Sequence, residues 1–493
     1  MDRKVIIAGA GIGDKENLTL KVQRALKEAD TIIYDRLLNQ RILDDYRDKE
    51  LIYAGKKKDK HTLSQDEINK LMVEKYKQGK RVLRLKGGDP YTFARGSEEA
   101  LYLRENGIGF EVYPGLSAGS VALNAGGIPQ THRNLAESVT YITGHRQEGF
   151  KDSFKVYAKL HGTLVFYMGL SNIEKIVNDL LEGGLKADTP IGIISNGGYN
   201  NQKVFISSLG KVLREMEGEE FFSPSLIVVG EVLDLAPSLN YFEDRIFYKK
   251  NVLVTRSFEE SLLLSDKLTR LGANVINAPT FRIKFKNLDL LEKDIDNFAY
   301  DYLIFTSVNS VRMFFKTLLK KYDIRKLGQV KIASVGVRCK EVIESYNLKV
   351  DYYSREGVAE KLYEKLFSLM KKDDRVYLAH SNLTRPYIIK ALEERANLTQ
   401  RVIYDNEIIR EKVAYDGPID AALFMSSSSV NNFIEVYGKD ALAKADIFSI
   451  GHITTKTLKD HGFKQIHQAD IASSKSLLEK MEEYYENEKN KKF

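Results

Sequence analysis

A single cysteine, Cys339, among 493 residues excludes internal disulfides, cysteine-held iron–sulfur clusters and thiolate zinc sites. Long apolar runs are missing too, since no stretch approaches the roughly 18 residues of a membrane span. The basic start Met1-Asp2-Arg3-Lys4 precedes an apolar run too short for a secretory signal. A soluble, cytoplasmic protein without membrane contact is expected. Nor does either charge dominate: 75 basic residues face 68 acidic ones, and +7 is mild at this length. That balance permits an anionic ligand, but the basic stripe typical of nucleic-acid binders is absent. The eight histidines show no zinc-ligand spacing, so no metal is expected.

What is present is material for several cores. The chain is 43% hydrophobic and 29% charged, a composition that folds. Single cores stop growing near roughly 250–300 residues, so this length requires more than one domain. Lys4 to Ala8 reads as a strand, Gly9-Ala10-Gly11-Ile12-Gly13-Asp14 as a tight turn, and Leu18 to Ala29 as an amphipathic helix. Thr31 to Tyr34 is the next strand, with Asp35 at its end. Strands recur at Arg81–Leu85, Val139–Thr143, Thr163–Tyr167 and Ile191–Ser195, which predicts an α/β fold.

The pattern fades over 243–250, read as a linker, and restarts at Asn251-Val252-Leu253-Val254. Beyond it the chain echoes itself. Asp301–Ser307 resembles Asp420–Ser426, displaced by 119 residues, and Lys331–Gly336 resembles Asp446–Gly451, displaced by 115. A period this long implies a duplicated pair of α/β lobes, because solenoid repeats are shorter.

Gly9-Ala10-Gly11 begins a dinucleotide fingerprint, with Asp35 as the possible ribose-binding acid. Asp14 then stands at the third glycine position, where it would repel a pyrophosphate. More informative is Arg84-Leu85-Lys86-Gly87-Gly88-Asp89-Pro90, followed by Arg95-Gly96-Ser97-Glu98-Glu99. Glycines at a strand end let a ligand approach the backbone. Tyr113-Pro114-Gly115-Leu116-Ser117-Ala118, Thr131-His132-Arg133 and Thr143-Gly144-His145 complete the series.

In this order the motifs resemble the uroporphyrinogen-III C-methyltransferases over roughly residues 3–240. The resemblance implies a two-lobed tetrapyrrole methyltransferase fold over 1–242, with lobes about 1–118 and 119–242, and a homodimer. It implies S-adenosylmethionine as methyl donor, bound by Ile12, Gly87, Gly88, Asp89, Thr92, Ser117, Ala118, Met168 and Gly197. It further implies Arg95 and Arg133 as carboxylate-binding forks for uroporphyrinogen III, with Asp35 and Lys56 as proton acceptor and donor. Carbon methylation needs a base afterwards, and Glu98 is a rival to Asp35 for that task. Without the resemblance, Lys56 reads as part of a solvated lysine run and Arg95 with Glu98 as a surface helix pair. Met168, at the end of an apolar strand, would read as core. The family usually has proline at Ile12 and glycines at Ala94 and Ser97.

Residues 251–493 resemble the uroporphyrinogen-III synthases through Phe305-Thr306-Ser307, Val402-Ile403-Tyr404, Phe424–Ser428 and Ile450–Thr454. That implies closure of hydroxymethylbilane with inversion of the last ring and loss of water. Tyr404 would protonate the leaving hydroxyl, and Ser307, Ser428 and Thr454 would hold substrate; each Ser or Thr also suits a turn cap. Cys339 stands where the family commonly has threonine and reads as a packing residue. The combined expectation is a bifunctional enzyme making precorrin-2, for cobalamin or sirohaem. The alternative is a transferase with a non-catalytic tetrapyrrole-binding C-terminal module. An RNA methyltransferase would need a basic surface that the sequence lacks.

Overall fold

The computed structural model describes residues 3–55, 63–145, 153–256, 258–354, 359–384, 386–415 and 417–491. The chain divides into two compact units. The first runs through Val252 and includes Leu264–Val275 and the segment from Met481 onward; the second comprises Leu253–Leu263 and Ile276–Lys480.

In the first unit, β1 (Val5–Gly9), β2 (Thr31–Tyr34), β3 (Glu50–Tyr53), β4 (Val82–Lys86) and β5 (Phe110–Tyr113) form a parallel sheet in the order β3-β2-β4-β1-β5. Such sheets are covered on both faces, which is why their strands read as unbroken apolar runs. One face packs Ala8, Ile32, Leu83 and Leu85 against Val22 and Leu26 of α1 (Leu20–Glu28). The other sets Val5, Ile7, Ile33 and Val82 against Met72 of α2 (Gln65–Lys77) and Leu103 of α3 (Gly96–Glu105). Thr19 caps α1, its hydroxyl accepting from the Val22 amide; the helix therefore starts two residues later than the apolar pattern alone suggests.

A second sheet, β6 (Val139–Thr143), β7 (Thr163–Tyr167), β8 (Pro190–Ser195), β9 (Lys203–Ser208) and β10 (Ser225–Val229), has the order β6-β7-β10-β8-β9. Only β6 and β7 pair parallel; β10, β8 and β9 run antiparallel to their neighbours. The helix α4 (Ala118–Ala125) leads into it, and α5 (Ile173–Glu182) packs Ile176 and Leu180 on its core. Residues 243–250 are not a free tether. Phe247 is fully buried, its amide donates to the Leu271 carbonyl, and its ring packs on Tyr485.

The remaining strands are β11 (Asn251–Val254), β12 (Asn274–Asn277), β13 (Phe281–Phe285), β14 (Tyr302–Phe305), β15 (Lys331–Val335), β16 (Tyr352–Ser354), β17 (Arg375–Ser381), β18 (Asn397–Ile408), β19 (Ala421–Phe424), β20 (Asp446–Ser449) and β21 (His467–Gln468). They form sheets ordered β12-β11-β19-β20-β21 and β13-β18-β17-β14-β15-β16. The five strands of the first sheet repeat β18-β17-β14-β15-β16 of the second, with the same strand–helix–strand units joining them. The duplication is interwoven, not tandem. One lobe is continuous over 281–408, whereas the other joins 251–277 to 421–468.

The repeated turns match in detail. Ser307 caps the helix Val308–Leu318 and Ser426 caps Ser427–Tyr437, each accepting an amide three residues on. Cys339 is buried in the helix Val337–Glu344, and burial pushes its thiol up to about 12. No helix among the described residues is long and apolar enough to cross a membrane.

Candidate active site

The first unit is organised around a charge that has no place in an ordinary strand. Val82, Arg84 and Lys86 share one face of the central strand β4, and Arg84 and Lys86 are 1% and 3% exposed. A buried guanidinium costs several kcal/mol unless it is paired. Its partners are Asp35, whose Oδ1 lies 2.7 Å from Arg84 Nη2, and Glu99 of α3, whose Oε1 lies 3.0 Å from Arg84 Nε. The same Glu99 oxygen accepts from Lys86 Nζ at 2.9 Å and from Gln65 Nε2 at 3.1 Å. Lys86 Nζ also stands 3.8 Å from Asp35 Oδ2.

The result is two cations and two anions interlocked, with Arg84, Lys86 and Glu99 in the core and Asp35 at its partly exposed edge. Burial opposes the Arg84 charge, but Glu99 and Asp35 outweigh it and raise its pKa. For Lys86, burial and the adjacent Arg84 prevail over the two carboxylates, and the ammonium is pushed below the ordinary lysine range.

The free edge of this network opens on a cavity of about 740 Å³. Ile12, Gly87, Gly88, Asp89, Thr92, Ser117, Ala118, Met168 and Gly197, the nine residues expected to hold the methyl donor, all line it, as do Asp35 and Lys86. Glycine is required here for close backbone approach. A Cβ on Gly9 would overlap the Gly88 carbonyl and sit 2.7 Å from the Gly115 nitrogen. Gly11 and Gly88 exchange backbone hydrogen bonds, so the glycine turn is used to seat the Gly-Gly-Asp-Pro loop and not to cradle a pyrophosphate.

Asp89 fixes that loop. Its Oδ1 accepts from the Tyr91 amide and Thr92 hydroxyl, and its Oδ2 from the Gly115 amide at 3.3 Å. Across the cavity, the Tyr167 hydroxyl shares a 2.6 Å hydrogen bond with Ser117 Oγ and accepts the Gly119 amide at 2.7 Å. Phe93 and Met168 line the cavity in left-handed backbone, and Arg95 and Asn196, also left-handed, flank Ala94 and Gly197. Such strain gathers at binding sites. Met168 lies beyond the end of β7 and is 52% exposed, so the core role that an apolar strand suggests does not apply.

Three other predicted residues lie apart from this wall. Arg95 and Glu98 form an exposed bidentate pair, Arg95 Nε donating to both carboxylate oxygens at 3.0 Å. The Arg95 hydrogen bond holds Glu98 below the usual carboxylate range. Arg133 is exposed in the turn between α4 and β6. Lys56 lies outside the described residues.

In the second unit the structure joins two of the four predicted residues. Tyr404, 4% exposed on β18, donates from its hydroxyl to Ser307 Oγ at 2.8 Å, and Ser307 Oγ meets Ser310 Oγ at 2.6 Å. Ser428 is exposed, its hydroxyl 3.0 Å from Ser426 Oγ. Thr454 is buried on the inner face of His452–Asp460, while Ile453 is exposed.

Sequence reasoning missed Arg84, Lys86, Glu99 and Tyr167. The signal for the first two was available, because a basic pair two residues apart on one strand face needs a buried acid. Glu99 shares the inner face of α3 with Ala100 and Leu103, which separates it from its outward neighbour Glu98.

Comparison with known proteins covers both halves. Residues 4–213 match the Tetrapyrrole (Corrin/Porphyrin) Methylases, and residues 263–479 match Uroporphyrinogen-III synthase HemD. A Ruminiclostridium josui protein described as porphyrin biosynthesis protein HemD is 32% identical over 97% of both chains. The uroporphyrinogen-III C-methyltransferase of Methanocaldococcus jannaschii is 44% identical over its whole length and 48% of this chain. The solved uroporphyrin-III C-methyl transferase of Thermus thermophilus, complexed with S-adenyl homocysteine, is 36% identical over 47% of this chain and 99% of its own, with a TM-score of 0.41.

Proposed function

Because the chain belongs to the tetrapyrrole methylases in its N-terminal half and to the uroporphyrinogen-III synthases in its C-terminal half, we propose that it performs two consecutive steps of tetrapyrrole biosynthesis. The C-terminal half closes hydroxymethylbilane to uroporphyrinogen III, inverting the last ring and losing water. The N-terminal half methylates that product twice to precorrin-2. The observation that carries the reading is the meeting of nine expected donor-binding residues and Asp35 around one cavity.

The cavity suits S-adenosylmethionine on its own chemistry. Gly88 leaves the backbone open to a ligand, a Cβ there meeting only the Ala118 nitrogen at 3.9 Å, while Gly87 packs against Leu37. Bound there, the sulfonium would supply an electrophilic methyl group. The protein's part is alignment and exclusion of water. Asp35 stands at the wall to take the proton that the methylated carbon must lose, held in place by Arg84. Glu98, committed to Arg95 and away from the cavity wall, is the weaker choice. Arg95 and Arg133 are assigned to the carboxylates of the incoming tetrapyrrole, a task suited to exposed guanidinium groups.

In the C-terminal half, the leaving hydroxyl departs from a carbon that yields a resonance-stabilised cation. Assistance by the Tyr404–Ser307 pair is sufficient, and a strong acid–base set is not needed. We assign the protein to the cytoplasm, as a homodimer through its transferase half.

Anaerobic incubation with hydroxymethylbilane tests the whole reading. Uroporphyrinogen III is expected without S-adenosylmethionine and precorrin-2 with it. Only the type I isomer and no methylated product would refute it.

A further inference from the structure

We propose that Lys86 is a positioning residue for methyl transfer: pinned by Glu99, its ammonium holds the Asp35 carboxylate at the cavity wall. The inference rests on the transferase reading above and goes beyond it.

Four observations converge. Lys86 lines the cavity, yet its side chain is only 4% exposed, so the charge is kept at the wall without solvent to stabilise it. Asp35 receives Arg84 on Oδ1 and faces Lys86 across 3.8 Å on Oδ2, so each oxygen has its own cation. Glu99 is fully buried and uses one oxygen, Oε1, for Arg84, Lys86 and Gln65 together. Its other oxygen, Oε2, is buried with no hydrogen-bond partner among the described residues. A carboxylate held this way loses solvation that a surface position would keep, a cost that a purely structural pair could avoid with apolar side chains.

The arrangement makes the device sensitive to alkali. Lys86 can hold Asp35 only as an ammonium, and burial and Arg84 lower its pKa while Glu99 and Asp35 raise it. The charged or titratable groups around it are Arg84 on its own strand, Asp35 and Arg36 after β2, Glu99 and Glu98 of α3, and Asp89 and His145 on the cavity wall. Turnover therefore falls as pH rises through the lysine's lowered pKa. Arginine does not lose its proton in this range.

The test is methylation of supplied uroporphyrinogen III by the full chain, as kcat against pH, beside the dissociation constant of S-adenosylhomocysteine. Lys86→Met should lower kcat about a hundredfold, the penalty for a misplaced catalytic group, with S-adenosylhomocysteine affinity kept. Lys86→Arg should restore turnover near neutrality and remove the alkaline limb. Glu99→Gln deletes the anion that supports the ammonium and should move that limb down by about one pH unit. Thermal unfolding of each variant identifies any that fails to fold.

A merely structural role gives the opposite pattern: kcat losses that follow stability losses, with one alkaline limb shared by wild type, Lys86→Arg and Glu99→Gln. That pattern overturns the inference while leaving the transferase reading intact. A wild-type chain that does not methylate uroporphyrinogen III overturns both.

Discussion

The two halves of this chain meet their chemistry with different materials. The transferase half concentrates charge, with Arg84, Lys86, Asp35 and Glu99 interlocked beside one cavity. The synthase half joins hydroxyls, with Tyr404 on Ser307 and Ser307 on Ser310. With the proposed site residues, the difference follows the reactions. Removing a proton from carbon after methyl transfer requires a base fixed at one point, and a half-buried carboxylate at a cavity edge is fixed by the cations buried beneath it. Expelling water from a substrate that stabilises its own cation requires only a modest proton donor. The first site should therefore be fragile to the loss of any one charge, and the second tolerant of changes away from its hydroxyls.

The largest expected effect tests that fragility. Arg84→Met leaves Asp35 and Glu99 short of a partner, and breaking a buried ion pair on one side costs about 3–5 kcal/mol. Urea unfolding should show the loss in the transferase unit, methylation should vanish, and cyclisation of hydroxymethylbilane by the same chain should stay within about twofold of wild type. Equal loss of both activities would erase the contrast between the halves.

Next comes a pair of glycines, Gly9 ending β1 and Gly451 preceding the helix His452–Asp460. Gly9→Ala drives a Cβ into the backbone of Gly88 and Gly115, where nothing can yield, and should cost about 1–3 kcal/mol with weakened S-adenosylhomocysteine binding. Gly451→Ala, whose Cβ would meet only the Ala472 methyl at 3.7 Å, should change stability by about 0.5 kcal/mol or less. Calorimetry on the two variants separates a backbone-packed site from a tolerant one.

How legible this was in the sequence depended on whether the information was local. The parallel strands were readable as apolar runs because both faces of their sheet are covered, and the Gly-Gly-Asp-Pro loop because its glycines sit together. The buried network was not read, although Arg84 and Lys86 stood in plain view. Their neighbouring glycines suggested a ligand, which drew the reading away from the strand face the two side chains share. Glu99 went without a role for a similar reason, since it sits only about 100° around α3 from Glu98 and nothing local marks it as the buried one of the two. The interwoven lobes were beyond any local pattern. Strand β11 lies beside β19, with Thr255 Oγ1 on the Leu423 carbonyl across 168 residues, and nothing in either segment names its partner. The 243–250 segment reads as a linker because the strand–helix pattern fades there, while the burial of Phe247 depends on Leu271 and Tyr485, both distant in sequence.

A smaller effect sharpens the hydroxyl side. Tyr404→Phe keeps the ring in its core and removes the hydroxyl that donates to Ser307. Formation of uroporphyrinogen III should slow about tenfold, near 1.4 kcal/mol, and the share of type I isomer should rise. Methylation of supplied uroporphyrinogen III should not change. An unaltered isomer ratio would remove Tyr404 from the reaction.

The smallest effect uses the duplication as its own control. Ser307 and Ser426 occupy equivalent turns, each accepting an amide three residues on at 3.1 Å, and each followed by a serine whose hydroxyl donates back to the cap carbonyl. Ser307→Ala and Ser426→Ala should therefore each lose a cap, about 1 kcal/mol, and Ser307→Ala also the acceptor of the Tyr404 hydroxyl. Their activities should part, because only Ser307 also receives the Tyr404 hydroxyl. Cyclisation should fall several-fold beyond the stability loss in Ser307→Ala and follow stability alone in Ser426→Ala. Equal activities at equal stability would mean that Ser307 is a helix cap and nothing more, and that duplication left both turns with one purpose.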